Sequence, residues 1–203
     1  MRKVLFIDLD GVIRLFAPGY IAWMEDELGL PRGAFAEVAF GPELIGLVTT
    51  GRITAEEWRV ETGRRLRALR PGLDVDELIR LWDEQPVRVD DEVLALVRAV
   101  RQQALVGLVT NATSRLPREL LDLGIEDEFD YIFNTSELGV AKPDPEVFRI
   151  ALRRVGVGPE DAFFVDDHPK NVAAAAQLGI RAHLYKDPAT LRHALAEAGF
   201  ALS

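Results

Sequence analysis

The sequence predicts an α/β fold: a doubly wound parallel sheet of five or more strands, interrupted by one all-helical insertion. Three observations carry this. Short apolar runs rich in β-branched and aromatic residues occur once near the start and four more times after residue 104. Each of those later runs leads into a helical pattern that stops at a glycine. The stretch between the first and second runs carries helical patterning and no convincing strand.

The strands come first. Residues 3–8 (KVLFID), 105–110 (LVGLVT) and 162–166 (AFFVD) are apolar almost throughout. Strands buried on both faces of a parallel sheet read this way, without polar alternation. Residues 131–134 (YIFN) and 181–185 (RAHLY) complete the set. Helices are expected over 116–123, 145–155, 169–178 and 188–198, closed by Gly124, Gly156, Gly179 and Gly199. Repeated strand–helix–glycine units imply right-handed crossovers and a Rossmann-like sheet.

About 90 residues separate the first two strands, and only 91–103 is needed as a crossover helix. The rest reads as helices over 20–28, 33–40, 43–50, 55–69 and 75–82. Thr54-Ala-Glu-Glu57 and Asp74-Val-Asp-Glu77 have the spacing of helix-start capping boxes. The expected division is therefore a core of residues 1–15 and 89–203 and a helical subdomain of residues 16–88.

Composition narrows the chemistry. Apolar residues make up 48% of the chain, enough for a sizeable core. No apolar run approaches the roughly 18 residues needed to span a bilayer, and the N-terminal run is too short for a signal peptide. The expectation is a soluble cytoplasmic protein with no membrane partner. There are no cysteines and only three histidines, so any metal is expected to be held by oxygen. A net charge of −9 argues against general nucleic-acid binding. It leaves room for a small anionic substrate at a locally positive site.

In open α/β sheets, ligands bind beyond the carboxyl ends of the strands. The polar residues expected there are Asp8 and Asp10 after the first strand, Thr110 and Asn111 after the second, Lys142 before a helix, and Asp166 and Asp167 after the fourth. Two carboxylates 4 Å apart repel by about 4 kcal/mol at an effective dielectric near 20. Several such pairs need counter-charge beyond Lys142. A magnesium ion held by carboxylates, water and a substrate phosphate supplies it. An ionised aspartate can attack phosphorus without a separate base, and a second can protonate the leaving oxygen. Gly11 lets the chain turn sharply beside the substrate.

Taken together, Asp8-x-Asp10-Gly11, Thr110-Asn111, Lys142-Pro143 and Asp166-Asp167 resemble, in that order, the four motifs of the haloacid dehalogenase-like (HAD) hydrolase superfamily. The resemblance covers about 130 core residues, and the insertion lies where that family places its α-helical C1 cap. It implies a magnesium-dependent phosphomonoesterase acting on a small phosphorylated metabolite. Asp8 would be the nucleophile that forms an aspartyl-phosphate. Asp10 would be general acid and then base, with its backbone carbonyl on the metal. Thr110, Asn111 and Gly11 would bind phosphate, and Lys142 would offset charge. Asp167 would bind the metal directly and Asp166 through water, with Asn171 in support.

Other residues receive plainer readings. His168 is expected on the loop before its helix, and His183 and His193 are structural or exposed. Arg52, Arg59, Arg64 and Arg65 are read as charges on a solvated helix face. Trp23, Trp58 and Trp82 are read as core of the inserted helices, and Gly51 as a bend between two of them. Arg14 and Phe16, just past the first motif, are better placed to set specificity. The same scaffold also accommodates a phosphosugar mutase or a 2-haloacid dehalogenase. A phospho-aspartate signalling domain is disfavoured because its paired acids come on the first strand and its lysine last.

Overall fold

A computed structural model describes residues 3–202. In chain order the elements are β1 (Val4–Ile7), β2 (Arg14–Phe16), α1 (Tyr20–Glu27), α2 (Ala34–Ala39), α3 (Pro42–Thr49), α4 (Ala55–Leu69), α5 (Val75–Asp83) and β3 (Val87–Val89). Then come α6 (Asp91–Arg101), β4 (Leu105–Thr110), α7 (Leu116–Leu123), β5 (Tyr131–Asn134) and α8 (Thr135–Leu138). The chain closes with α9 (Pro145–Val155), β6 (Ala162–Asp166), α10 (Pro169–Gln177), β7 (Arg181–Leu184) and α11 (Pro188–Glu197).

Five strands form one sheet in the order β5-β4-β1-β6-β7, every pair parallel. This is the doubly wound Rossmann-like architecture. The strand order reverses direction at β1, which places the crevice beyond the ends of β1, β4 and β6. Successive side chains of β1 go to opposite faces. Leu5 and Ile7 join a cluster with Val93, Val97, Leu116 and Leu191 from α6, α7 and α11. Val4 and Phe6 join a cluster on the other face with Val147, Phe148 and Ala175 from α9 and α10.

Helices α1–α5 lie between β2 and β3 and bury a cluster of their own, including Met24, Phe35, Leu66, Trp58 and Trp82. Two local devices shape it. Thr54 and Glu57 form a reciprocal capping box that starts α4. Buried Glu25 accepts hydrogen bonds from the Gly33 and Phe35 N–H groups, both at 2.8 Å, and so satisfies the open end of α2. Trp58 donates to the Ala39 carbonyl at 2.8 Å and meets Trp82 edge-on at 4.6 Å. Trp23 departs from the core expected for it: it is 45% exposed and packs on Tyr20.

A second correction concerns the ends of this insertion, expected to hold no strand. β2 and β3 pair antiparallel there, with Phe16 opposite Val87 and Arg14 opposite Val89. No helix among the described residues is long and apolar enough to cross a membrane.

Candidate active site

Asp8 stands one residue beyond β1, and its N–H donates to the Val165 carbonyl of β6 at 2.9 Å. The sheet itself thus fixes the backbone. Its carboxylate is held through one oxygen: Oδ1 accepts from the Leu9 N–H at 2.8 Å and pairs with Lys142 Nζ at 2.9 Å. Oδ2 accepts no hydrogen bond from the described residues.

Lys142 arrives from the loop before α9 and is buried. Its ammonium reaches Asp8, the Asp166 Oδ2 at 2.6 Å and the Val109 carbonyl at 2.8 Å. The Val109 and Asp166 contacts are hydrogen bonds, and the Asp8 contact is an ion pair. Asp166, fully buried at the end of β6, also accepts from the His168 N–H at 2.8 Å and from the Asn171 side-chain amide at 3.0 Å on both oxygens. Asn171 is therefore a support for Asp166, and His168 caps α10. Asp167, exposed beside it, makes no side-chain hydrogen bond to the described residues.

Oxygens of Asp8, Asp166 and Asp167 lie within 4.8 Å of one another. Asp10 is the exception among the sequence-predicted acids: its carboxylate lies outside this cluster. Arg14 grips it bidentately, Nε at 2.6 Å and Nη2 at 3.0 Å, and uses Nη1 to hold Glu119 of α7 at 2.7 Å. Arg14 itself is buried, so this clamp is well defined. Arg14 is thus a partner of Asp10 before it is a specificity residue.

Two of the expected phosphate ligands also have partners within the protein. The Asn111 side-chain amide donates to the Lys142 carbonyl at 2.9 Å and accepts from the Lys142 N–H at 2.8 Å. Both ends are committed to mounting the lysine loop. The Gly11 N–H donates to the Arg14 carbonyl at 2.9 Å and closes a turn. With φ at 78°, Gly11 instead leaves room: a Cβ there would collide with the Asp167 carboxylate. Thr110 ends β4, buried, and its hydroxyl bonds none of the described residues.

Electrostatics follow from this geometry. Burial pushes the Asp8 carboxyl up to about 7; Lys142 opposes that rise, while Asp166 and Asp10 add to it. Burial alone would lower the Lys142 ammonium, but Asp8 and Asp166 outweigh it and hold it charged. Asp167 is also raised, by burial first and Asp166 second. Three acids gathered around one lysine leave negative charge uncompensated. The donors are hard oxygens, and the space beside Gly11 is kept open for Asp167. These residues fit a divalent cation.

A family model for the haloacid dehalogenase-like hydrolases matches residues 2–179. The chain belongs to this family. Its HAD-like fold extends to solved structures. A HAD family enzyme from Bacteroides thetaiotaomicron, crystallised in complex with magnesium and inorganic phosphate, has a TM-score of 0.75 at 23% identity, covering 92% of this chain and 95% of that one. A 2-haloacid dehalogenase from Pseudomonas syringae has a TM-score of 0.64 at 25% identity, covering 97% and 99%. Among curated proteins, phosphoserine phosphatase from Thermus thermophilus is 40% identical over 89 residues, 43% of this chain and 36% of that protein. Bifunctional epoxide hydrolase 2 from Sus scrofa is 27% identical over 210 residues, 94% of this chain and 37% of that protein. The matched stretches thus span little more than a third of those two relatives.

In this HAD-like hydrolase a cavity of about 770 Å³ opens between the inserted helices and the sheet, with Asp10, Asn111 and Thr113 at its core side. Contacts join the two sides. The Ala55 N–H donates to Ser114 Oγ at 3.2 Å. Arg115, after β4, pairs with Asp83 at the end of α5 at 2.8 Å. Gly51 lies so close to the Ser136 carbonyl of α8 that a Cβ there would collide with it. Arg59, read from sequence as solvated, shares Asp83 at 2.8 Å and lies over Trp82 at 4.9 Å. Arg64 and Arg65 do pair on the surface, with Glu61 and Glu43. Arg115, Glu119 and Asp83 carried no sequence signal; charged residues just past a strand-end motif are where one could have looked.

Proposed function

We propose that this chain is a magnesium-dependent phosphomonoesterase that works through phospho-Asp8, with the inserted helices as its cap. The observation that carries the reading is the asymmetry of Asp8: Oδ1 is tied down by Leu9 and Lys142, and Oδ2 is free. Oδ2 attacks phosphorus, the phosphorus–alkoxide bond breaks, and Asp10 gives the leaving oxygen its proton. Water then attacks the phosphorus, Asp10 takes a proton from it, and the Asp8–phosphorus bond breaks to free phosphate. Arg14 holds the Asp10 carboxylate in place for both transfers, and Glu119 in turn holds Arg14. Lys142 holds Asp8 in position and offsets its charge, and the Thr110 hydroxyl is available to a phosphoryl oxygen.

Asp8 and Asp167, Asp166 behind them, and the Asp10 main-chain carbonyl are the groups that would hold magnesium. When bound, the ion supplies positive charge opposite the phosphoryl oxygens. The phosphatase among the relatives and the magnesium–phosphate complex among the structural neighbours support this reading.

The test is phosphate release from a panel of phosphomonoesters with magnesium or with chelator. Asp8→Asn is expected to lower turnover on the order of 10⁴-fold or more, as loss of a nucleophile does. Activity that survives Asp8→Asn sinks the assignment. The full-length likeness to a 2-haloacid dehalogenase favours a second reading, in which Oδ2 displaces halide. Halide needs no proton, so that reaction leaves Asp10 idle. Chloride release from 2-chloropropionate without phosphatase activity would select it.

A further inference from the structure

We propose, resting on the phosphatase reading, that the substrate is a phosphomonoester of an uncharged alcohol with an aromatic or similarly broad apolar body. The body lies in the cavity under the inserted helices, and the phosphate points to Asp8. Three features of the cavity argue for this.

The first is size. About 770 Å³ is far more than a serine or glycerol fragment fills, and lies well within the range of pockets for drug-sized ligands. The second is the wall. Phe16, Phe40, Trp58, Trp82, Ile21 and Ile45 line it. Phe16 and Phe40 keep 43% and 46% of their surface accessible, leaving ring surface open to a ligand.

The third is charge. The cations of the wall are Arg14, Arg59 and Arg115, among the described residues. Arg14 pairs with Asp10 and Glu119, Arg59 and Arg115 share Asp83, and with Asp122 the wall's four carboxylates outnumber its three cations. Arg59 is further covered by Trp82. A carboxylate or second phosphate on the leaving group would face a wall whose carboxylates outnumber its cations, Asp83 and Glu119 among them. An anion desolvated without a partner is strongly disfavoured. O-phosphoserine and sugar bisphosphates are therefore poor fits, whereas an uncharged ring meets edges and faces of four aromatics.

The test uses the full chain with magnesium and esters of primary alcohols, so that leaving-group reactivity stays similar: 2-phenylethyl, ethyl and O-phosphoserine esters and glucose 6-phosphate. Acetyl phosphate serves as a reference needing no cavity. kcat/KM for 2-phenylethyl phosphate is expected to exceed that for ethyl phosphate and O-phosphoserine by about tenfold or more, the scale of a filled apolar pocket. Phe40→Ala is expected to shrink the phenylethyl-to-ethyl ratio, chiefly through KM. Binding is read separately with non-hydrolysable phosphonates: 2-phenylethylphosphonate is expected to change tryptophan fluorescence at lower concentration than ethylphosphonate. O-Phosphoserine or glucose 6-phosphate turned over as well as the phenylethyl ester would overturn the proposal, as would equal phosphonate affinities. If neither acetyl phosphate nor any ester releases phosphate, the phosphatase reading itself fails and this one falls with it.

Discussion

The strand-end cluster and the cavity above it handle charge in opposite ways. At the strand ends, Asp8, Asp166 and Asp167 gather around a single buried lysine, and the balance stays negative. In the cavity wall, arginines and acids are interleaved in shared ion pairs and leave aromatic surface facing inward. The first arrangement leaves uncompensated negative charge and fits a divalent cation. The second asks nothing of a ligand beyond shape and apolarity. On the proposed reading, reaction type rests on the parallel sheet, while substrate choice rests on the inserted helices together with the loops that face them.

The largest effect expected from disturbing this contrast is at Lys142. Lys142→Met leaves Asp8 and Asp166 buried without their cation and should destabilise the metal-free protein by about 3–5 kcal/mol. Asp8→Asn should do the reverse, raising the urea midpoint in chelator because one of the crowded charges is gone. If both substitutions shift the midpoint the same way, the uncompensated-charge description is wrong.

Arg14 joins the two regions, so its loss should be felt next. Arg14→Ala frees Asp10 and should lower kcat by about tenfold, below the full contribution of a general acid. Arg14→Lys keeps the charge without the planar fork and should recover only part. A change confined to KM would make Arg14 a binding residue instead. In the wall, Asp83→Asn releases two arginines at once. Relative kcat/KM for O-phosphoserine over 2-phenylethyl phosphate should rise about twofold, the scale of a partly exposed ion pair. Unchanged selectivity would mean that wall charge does not choose the substrate.

The smallest effect lies away from both regions, on β7. His183 is half-buried, its Nε2 has no partner among the described residues, and burial holds its imidazole below the usual value of 6.5. Below about pH 6.5 the unfolded chain takes up a proton that the folded protein refuses, so stability falls as pH falls. His183→Gln should flatten that slope between pH 8 and 5.5, measured by urea midpoints. A slope unaltered by His183→Gln would assign the acid sensitivity elsewhere.

Much of the architecture was legible in the sequence. β1, β4 and β6 announce themselves because strands covered on both faces must be apolar at every position. β2 and β3 did not, being three residues each and partly exposed. The four-residue α8 was too short to show a period. At the site, the positions of Asp8, Lys142, Asp166 and Asn171 follow from strand ends and helix starts. The detours of Asp10 to Arg14 and of Asn111 to the Lys142 backbone do not. Asn111 and Lys142 are 31 residues apart, and Arg115 and Asp83 are 32 apart. No local pattern encodes pairings made only when loops meet.

The little β2–β3 ribbon has a structural consequence beyond tethering. Because Phe16 and Val87 face each other, the chain leaves for the helical excursion and comes back through a doorway one strand pair wide, about 5 Å across. Any segment whose two ends meet at that separation could be spliced there while β1, β4 and β6 keep their partners. The sheet behaves as a chassis, and what is mounted above it is exchangeable.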